Sequence, residues 1–451
     1  MKRRLATIAA VLVTLTASVL MFVPPAHAAT GLHVSGRNIV EANGSTFVMR
    51  GINHMHTWYA DRTGSFADIK ATGANTVRVV LSGGRWTANT AADVTNVINL
   101  CKANRLICVL ENHDTTGYGE DTAAYTLDQA VDYWIGLKSV LVGQENHVVI
   151  NIGNEPIGNT NPGQWTAATV AAIQKMRTNG FEHLLMIDAP NWGQDSQYVM
   201  RDNAQTVLDA DTRDNTVLSI HMYAVFNTAT SIRNYLDVFQ NNNWPLVIGE
   251  FGWQFDSGQV DDQTLIAEAQ ARGIGYLGWS WAGNTDPILD MTNNFDAASL
   301  TTWGRRIIDG PNGIRATSRE ATIFGGAEPS SPAPSSPSPS SPSPSPSPSV
   351  PAGACTATYA VTGQWPGGFQ GDVKVTAGSA AIKSWTVTWT YADGQTVSNA
   401  WGATVAVSGS TVTARNAGWN GSLSAGASTS FGFLGSWHGS NTAPVPTCTA
   451  G

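Results

Sequence analysis

The chain has 451 residues and a formal net charge of -8, with 13% charged side chains and sixteen tryptophans. No cluster of Lys and Arg marks a nucleic-acid surface, so nucleic-acid partners are not expected. Sparse charge and abundant tryptophan suit a neutral ligand with apolar faces, and sugar rings present such faces. Many of the tryptophans must nevertheless be core.

Residues 1–29 read as a secretory signal. Lys2, Arg3 and Arg4 form the basic start, residues 5–23 the apolar run, and Ala26-His27-Ala28 the cleavage site. An uncleaved anchor is the alternative, but Pro24, Pro25 and the small-residue site favour removal. Loss of the three basic residues leaves the mature chain at -11. A secreted, extracellular monomer with no membrane contact is expected.

Strand-like runs follow at residues 47–52, 76–81, 106–111, 147–152, 183–188, 217–221, 246–250 and 275–281. Helical periodicity fills several of the gaps, as at 91–104, 127–142 and 165–179. Eight strand-then-helix units predict an α/β fold, a (β/α)8 TIM barrel over residues 30–326. A doubly wound open sheet is the alternative, but no glycine-rich phosphate loop follows the first strand.

Two of these runs carry most of the chemistry. Val148-Val149-Ile150-Asn151-Ile152-Gly153-Asn154-Glu155 and Leu246-Val247-Ile248-Gly249-Glu250 are apolar runs that end in a glutamate. Such runs suit strands buried on both faces, and their C-terminal ends lie at the rim where barrels place catalytic groups. Two rim carboxylates are what glycoside hydrolysis requires. Helix-capping or ion-paired glutamates are the alternative for either string alone. The other strand ends add Asn53, His54, His56, Arg78, His113, His221, Tyr223, Trp279 and Trp281. Arg78, inside Thr76-Val77-Arg78-Val79-Val80, needs a buried carboxylate, with Glu250 or Glu111 the expected partner.

Residues 327–350 are almost wholly Pro and Ser, a spacer that cannot bury a core. Beyond it, residues 351–451 form the last unit, and only five charged side chains lie between 355 and the end. Period-two alternation in Ser384-Trp385-Thr386-Val387-Thr388-Trp389 and Thr404-Val405-Ala406-Val407 predicts an all-β antiparallel sandwich. Trp385 and Trp389 are expected in its core. Cys355 and Cys448 bracket the module, and a disulfide joining its ends is the natural pairing. Cys101 and Cys108 lie across a helix-to-strand turn, where a second bridge and two buried thiols are both open. Neither pair has zinc-ligand spacing, and neither a metal nor a cofactor is implied.

Asn154-Glu155-Pro156, His221-Met222-Tyr223 and Gly249-Glu250-Phe251-Gly252, with Arg78, His113 and Trp281, give the barrel a resemblance to family 5 glycoside hydrolases. It resembles the bacterial β-mannanase subgroup in Gly51-Ile52-Asn53-His54-Met55-His56-Thr57-Trp58-Tyr59, in Glu111-Asn112-His113-Asp114-Thr115-Thr116-Gly117-Tyr118-Gly119, and in Gly278-Trp279-Ser280-Trp281-Ala282-Gly283-Asn284. The resemblance implies Glu155 as acid/base, Glu250 as nucleophile, Asn154 as a 2-hydroxyl contact and Trp281 as the sugar platform; Trp279 projects to the same side of the strand and is the alternative, with Trp281 favoured as nearer the rim. Arg78, His113, His221 and Tyr223 complete the set, and Trp58 and Trp192 are candidates for outer subsites.

In Gln364-Trp365-Pro366-Gly367-Gly368-Phe369, Asn399-Ala400-Trp401, Asn416-Ala417-Gly418-Trp419-Asn420-Gly421-Ser422 and Phe431-Gly432-Phe433, the sandwich resembles a family 2 carbohydrate-binding module of the cellulose-binding type, and Trp365, Trp401 and Trp419 match its surface tryptophans. The implied activity is a retaining endo-β-1,4-mannanase acting on β-mannan and held on a cellulose surface. An endo-β-1,4-glucanase is the runner-up, since the catalytic residues are shared, and a non-catalytic carbohydrate-binding protein is the rival from another class.

Overall fold

A computed structural model describes residues 31–255, 258–326, 355–365, 367–417 and 420–451. The signal segment (1–29), the Pro/Ser linker (327–350) and Trp419 lie outside the described residues. The chain divides into two compact units between residues 333 and 334.

The first unit is a closed parallel barrel of eight strands. They are β1 (Arg50–His54), β2 (Thr76–Leu81), β3 (Ile107–Asn112), β4 (Val148–Asn151), β5 (Leu185–Asp188), β6 (Thr216–Met222), β7 (Leu246–Phe251) and β8 (Gly275–Gly278). Every residue of β1 to β8 is buried, as strands covered on both faces must be. Along β3, Ile107 and Val109 join an apolar cluster with Val149, Met186, Val217, Val247 and Leu277, while Cys108 and Leu110 join the larger cluster that includes the helices. This alternation is the strand period of two, and it separates the barrel filling from the barrel jacket.

The first strand departs from expectation. Its ladder runs over Arg50–His54 and not 47–52, because Phe47 and Met49 pack below with a short hairpin of His33–Ser35 and Asn38–Val40. The helices of this unit include α1 (Ser65–Ala71), α2 (Ala91–Ala103), α3 (Leu127–Gly136), α4 (Lys138–Leu141) and α5 (Gln164–Thr178). Thr90 caps α2, and Thr126 with Gln129 forms a capping box on α3. The predicted helix over 127–142 is two pieces, broken after Gly136, a poor helix former. A Cys101–Cys108 disulfide ties α2 to β3. Among the described residues, no helix is long and apolar enough to cross a membrane.

The second unit is two four-stranded antiparallel sheets. Its strands are β9 (Cys355–Trp365), β10 (Gly368–Ala377), β11 (Trp385–Thr390), β12 (Thr396–Trp401), β13 (Ala403–Ser408), β14 (Thr411–Asn416), β15 (Ser428–Ser436) and β16 (Thr447–Ala450). The orders are β9-β10-β15-β12 and β13-β14-β11-β16. Trp385 and Trp389 are buried and stack on Phe431, and Trp389 also stacks on Phe433, as the alternating pattern of β11 demands. Cys355 and Cys448 are bonded, closing the module's two ends.

Candidate active site

Above the apolar filling, the barrel interior turns polar around Arg78 on β2. Its guanidinium is fully buried and spends its donors on five neighbours. Nε donates to Asn151 Oδ1 (3.0 Å), Nη1 to Asn53 Oδ1 (2.9 Å) and Glu250 Oε2 (3.1 Å), and Nη2 to Asn154 Oδ1 (2.7 Å) and Asp188 Oδ2 (3.2 Å). Glu111 Oε1 stands 3.9 Å from Nη1. Both expected carboxylates are therefore near Arg78, joined by a third, Asp188. These carboxylates hold the guanidinium protonated against its burial.

Glu250 lies within β7, and Tyr223 donates to its Oε1 at 2.6 Å. Glu155 sits past the last ladder residue of β4, in a left-handed backbone conformation (φ 41°). A glutamate pays strain for that conformation, a feature common at functional sites. The turn aims its carboxylate at His221, whose Nδ1 is 2.9 Å from Glu155 Oε1. His221 Nε2 lies 3.2 Å from Asp188 Oδ2, and Nδ1 lies 3.8 Å from Glu250 Oε2. One oxygen of each glutamate and a His221 ring nitrogen all fall within 4.8 Å of one another. These atoms could also ligate a cation.

The environments of the two carboxylic partners of His221 diverge. Burial raises the Glu155 carboxyl, the His221 hydrogen bond offsets part of that, and the Glu250 charge raises it again. Asp188, also buried, is nevertheless held down at about 2 by His221 and Arg78. Burial opposes the His221 charge, yet the Asp188 and Glu250 carboxylates push the imidazole up to about 10. His221 packs under Gly193, where a Cβ would approach the ring to 2.5 Å and the backbone is left-handed (φ 71°). Only glycine meets both conditions.

Glu155 and Glu250 line a cleft of about 840 Å³ together with His113, Asn154, Trp192, Tyr223 and Trp279, among others. Asn154 Nδ2 donates to Thr116 Oγ1 at 2.9 Å. Trp281 requires a correction. It has no exposed surface and packs in the barrel core, while Trp279 faces the cleft and stacks beside His113. The expectation assumed strand alternation through 275–281, but the ladder ends at Gly278. The two indoles therefore do not share a face. Trp58 is 38% exposed and meets Trp86 and His113 edge-on.

Trp192 lies over Gly117, and its Nε1 donates to Glu120 Oε2 at 2.8 Å. Glu120 Oε1 accepts from the Thr160 N–H (2.7 Å) and Oγ1 (3.1 Å). One carboxylate thus clasps the loops that follow β3, β4 and β5. Asp188 carried a readable signal, an acid ending the apolar run 184–188 like the two glutamates. Asn53 stands at a strand end as expected, whereas Asn151 carried no signal beyond its place in a strand sequence.

The chain matches the family description Cellulase (glycosyl hydrolase family 5) over residues 40–285, more than half its length. It belongs to glycosyl hydrolase family 5. Mannan endo-1,4-beta-mannosidase of Streptomyces lividans is 59% identical over 303 residues, covering 66% of this chain and 79% of that protein. The crystal structure of the Streptomyces thermolilacinus β-mannanase with mannohexaose is 60% identical, with a TM-score of 0.65, and the match covers 66% of this chain and 99% of that one. Family 5 membership accounts for the barrel. Residues 355–451 match the family described as Cellulose binding domain. Endoglucanase A of Thermobispora bispora is 53% identical over 102 residues, 22% of each chain.

In the module, Trp365 ends β9 and Trp401 ends β12, both in the same sheet. The Trp401 indole is partly exposed and lies across Gly432, where a Cβ would approach it to 2.5 Å.

Proposed function

We propose that this family 5 enzyme is an endo-β-1,4-mannanase that cleaves internal β-1,4-mannosidic bonds of mannan, glucomannan and galactomannan with retention of configuration. The observation that supports the mechanism is that one carboxylate oxygen of Glu155 and one of Glu250 lie within 4.8 Å of each other, on the same short scale as a retaining pair. Retaining glycosidases hold their carboxyl groups about 5–5.5 Å apart, whereas inverting ones leave room for water at about 6.5–9.5 Å. The mannan preference is supported by the relatives named mannan endo-1,4-beta-mannosidase.

In the first step Glu155, whose proton affinity burial raises, with the His221 hydrogen bond offsetting part and the Glu250 charge adding to it, gives its proton to the leaving glycosidic oxygen. Glu250, hydrogen-bonded by Tyr223 and Arg78, attacks the anomeric carbon, and the carbon–oxygen bond to the departing chain breaks. In the second step Glu155 takes a proton from water, whose oxygen displaces Glu250 and restores both groups. His221, cationic between Asp188 and Glu155, stabilises Glu155 as a carboxylate during that step. Trp279 provides the platform for the sugar ring.

Export by residues 1–29, the boundaries 30–326 and 351–451, and the Pro/Ser spacer between them complete this reading, with the module anchoring a monomeric enzyme on cellulose. The second reading, an endo-β-1,4-glucanase, draws on the breadth of the matching family, described as Cellulase. Reducing-sugar release from locust bean gum, konjac glucomannan and carboxymethylcellulose in parallel separates them. Activity confined to the last substrate refutes the mannanase. NMR of the first product is expected to show the β-anomer, and an initial α-anomer refutes retention.

A further inference from the structure

His113 packs among three indoles and the Glu111 carboxylate. Its ring stacks on Trp279 with centroids 6.1 Å apart and planes 20° apart, and it meets Trp86 at 5.3 Å and Trp58 at 5.2 Å. Its Nδ1 lies 2.9 Å from Glu111 Oε1. Glu111 is fully buried on β3, and its second oxygen has no hydrogen-bond partner among the described residues. Nothing in the two-carboxylate mechanism uses Glu111, although it lies within the polar layer and faces the Arg78 guanidinium at 3.9 Å.

A carboxylate accepts hydrogen bonds and donates none, so the shared hydrogen belongs to His113 Nδ1. In a neutral imidazole, the nitrogen that does not carry hydrogen is an acceptor, and the partner of one nitrogen fixes the role of the other. His113 lines the cleft beside Trp279, with Nε2 as its remaining hydrogen-bonding atom. We propose that Glu111 is a positioning residue that fixes His113 as the Nδ1–H tautomer, so that Nε2 accepts a hydrogen bond from a hydroxyl of the sugar lying on Trp279. The proposal rests on the reading of the cleft as a β-mannan site. It gives that end of the cleft a polarity: the sugar donates, and a group that can only accept is rejected there.

Glu111→Gln tests this, because glutamine keeps the size of the side chain but can donate as well as accept. Ring 15N shifts of His113 in the whole enzyme at pH 7.5 are expected to show Nδ1 protonated and Nε2 bare in the wild type, and a mixture in Glu111→Gln. The variant should lose about tenfold in kcat/KM on mannopentaose, borne mainly by KM. In a His113→Asn background, Glu111→Gln should cost nothing further, since its effect passes through the imidazole. A wild-type His113 with Nε2 protonated overturns the proposal, as does a Glu111→Gln loss that persists undiminished without His113. If the variant folds poorly, the wild-type spectrum still decides. Wild-type enzyme inactive on every β-mannan would refute the functional reading and leave the tautomer measurement standing.

Discussion

Replacing Asp188 by asparagine removes one charge from the polar layer at nearly constant volume. Asp188 Oδ2 lies 3.2 Å from His221 Nε2, and both side chains are buried. Two unit charges at that distance attract by about 5 kcal/mol at an effective dielectric of ~20. At about 1.4 kcal/mol per tenfold, this is a several-thousand-fold loss of proton affinity. His221, held at about 10, would then release its proton near neutrality. Ring NMR from pH 5 to 9 should show an invariant imidazolium in the wild type and a titrating His221 in Asp188→Asn, with kcat/KM gaining an ionisation over the same range. The sign for stability follows from the raised affinity of the folded state. The His221 contribution is complete below its unfolded value of ~6.5 and is lost as pH rises through about 10. Wild-type melting should therefore weaken on the alkaline side more than that of Asp188→Asn. A variant whose His221 keeps both ring protons at pH 9 would refute the pairing as the source of the charge.

Glu155→Ala should lose about 10²–10⁴-fold on mannan but far less on an aryl mannobioside with a good leaving group, and azide should restore part of the rate; equal losses on both substrates would move the acid role elsewhere. Trp279→Ala should raise KM for mannooligosaccharides with little change in melting, whereas Trp281→Ala should cost about 3–5 kcal/mol of stability, measured by denaturant unfolding. Trp401→Ala should weaken sedimentation with microcrystalline cellulose and leave hydrolysis of soluble galactomannan unchanged; full retention on cellulose would exclude a binding role for this tryptophan. His54 is buried between His56 and Phe66 with its affinity lowered to about 3 by burial and then by His56, so its stabilising contribution is present above ~6.5 and lost as pH falls. His54→Leu should flatten the acid side of the melting-temperature profile between pH 6.5 and 4, and an unchanged slope would show that another group takes up the protons.

The barrel was legible because fully buried strands leave apolar runs, and an acid that ends such a run has few reasons to be there. That logic located Glu155 and Glu250, and it applies equally to Asp188, whose run is shorter. It fails where the regular period stops. Beyond Gly278 the chain leaves the ladder, so the two-residue spacing of Trp279 and Trp281 no longer puts both indoles on one face, and nearness to the rim does not choose between them. The first strand shifted for a related reason, since Phe47 and Met49 are apolar for the hairpin below the barrel and not for the barrel wall. The contact between Glu111 and His113, two residues apart in the sequence, depends on how the chain turns after β3, which the sequence alone does not show.

The Glu120 clasp bears on how this enzyme meets a solid substrate. Polysaccharide chains in a cell wall are stiff and do little to mould a protein around themselves. Because the Trp192 side of the cleft is already fixed by hydrogen bonds from Thr160 and the indole, a chain docking there has no loop to organise. The ordering entropy that folding a rim segment around each arriving chain would cost is absent from that end of the cleft. Processing of an insoluble, heterogeneous polymer is thus favoured by a wall that stays the same from one encounter to the next.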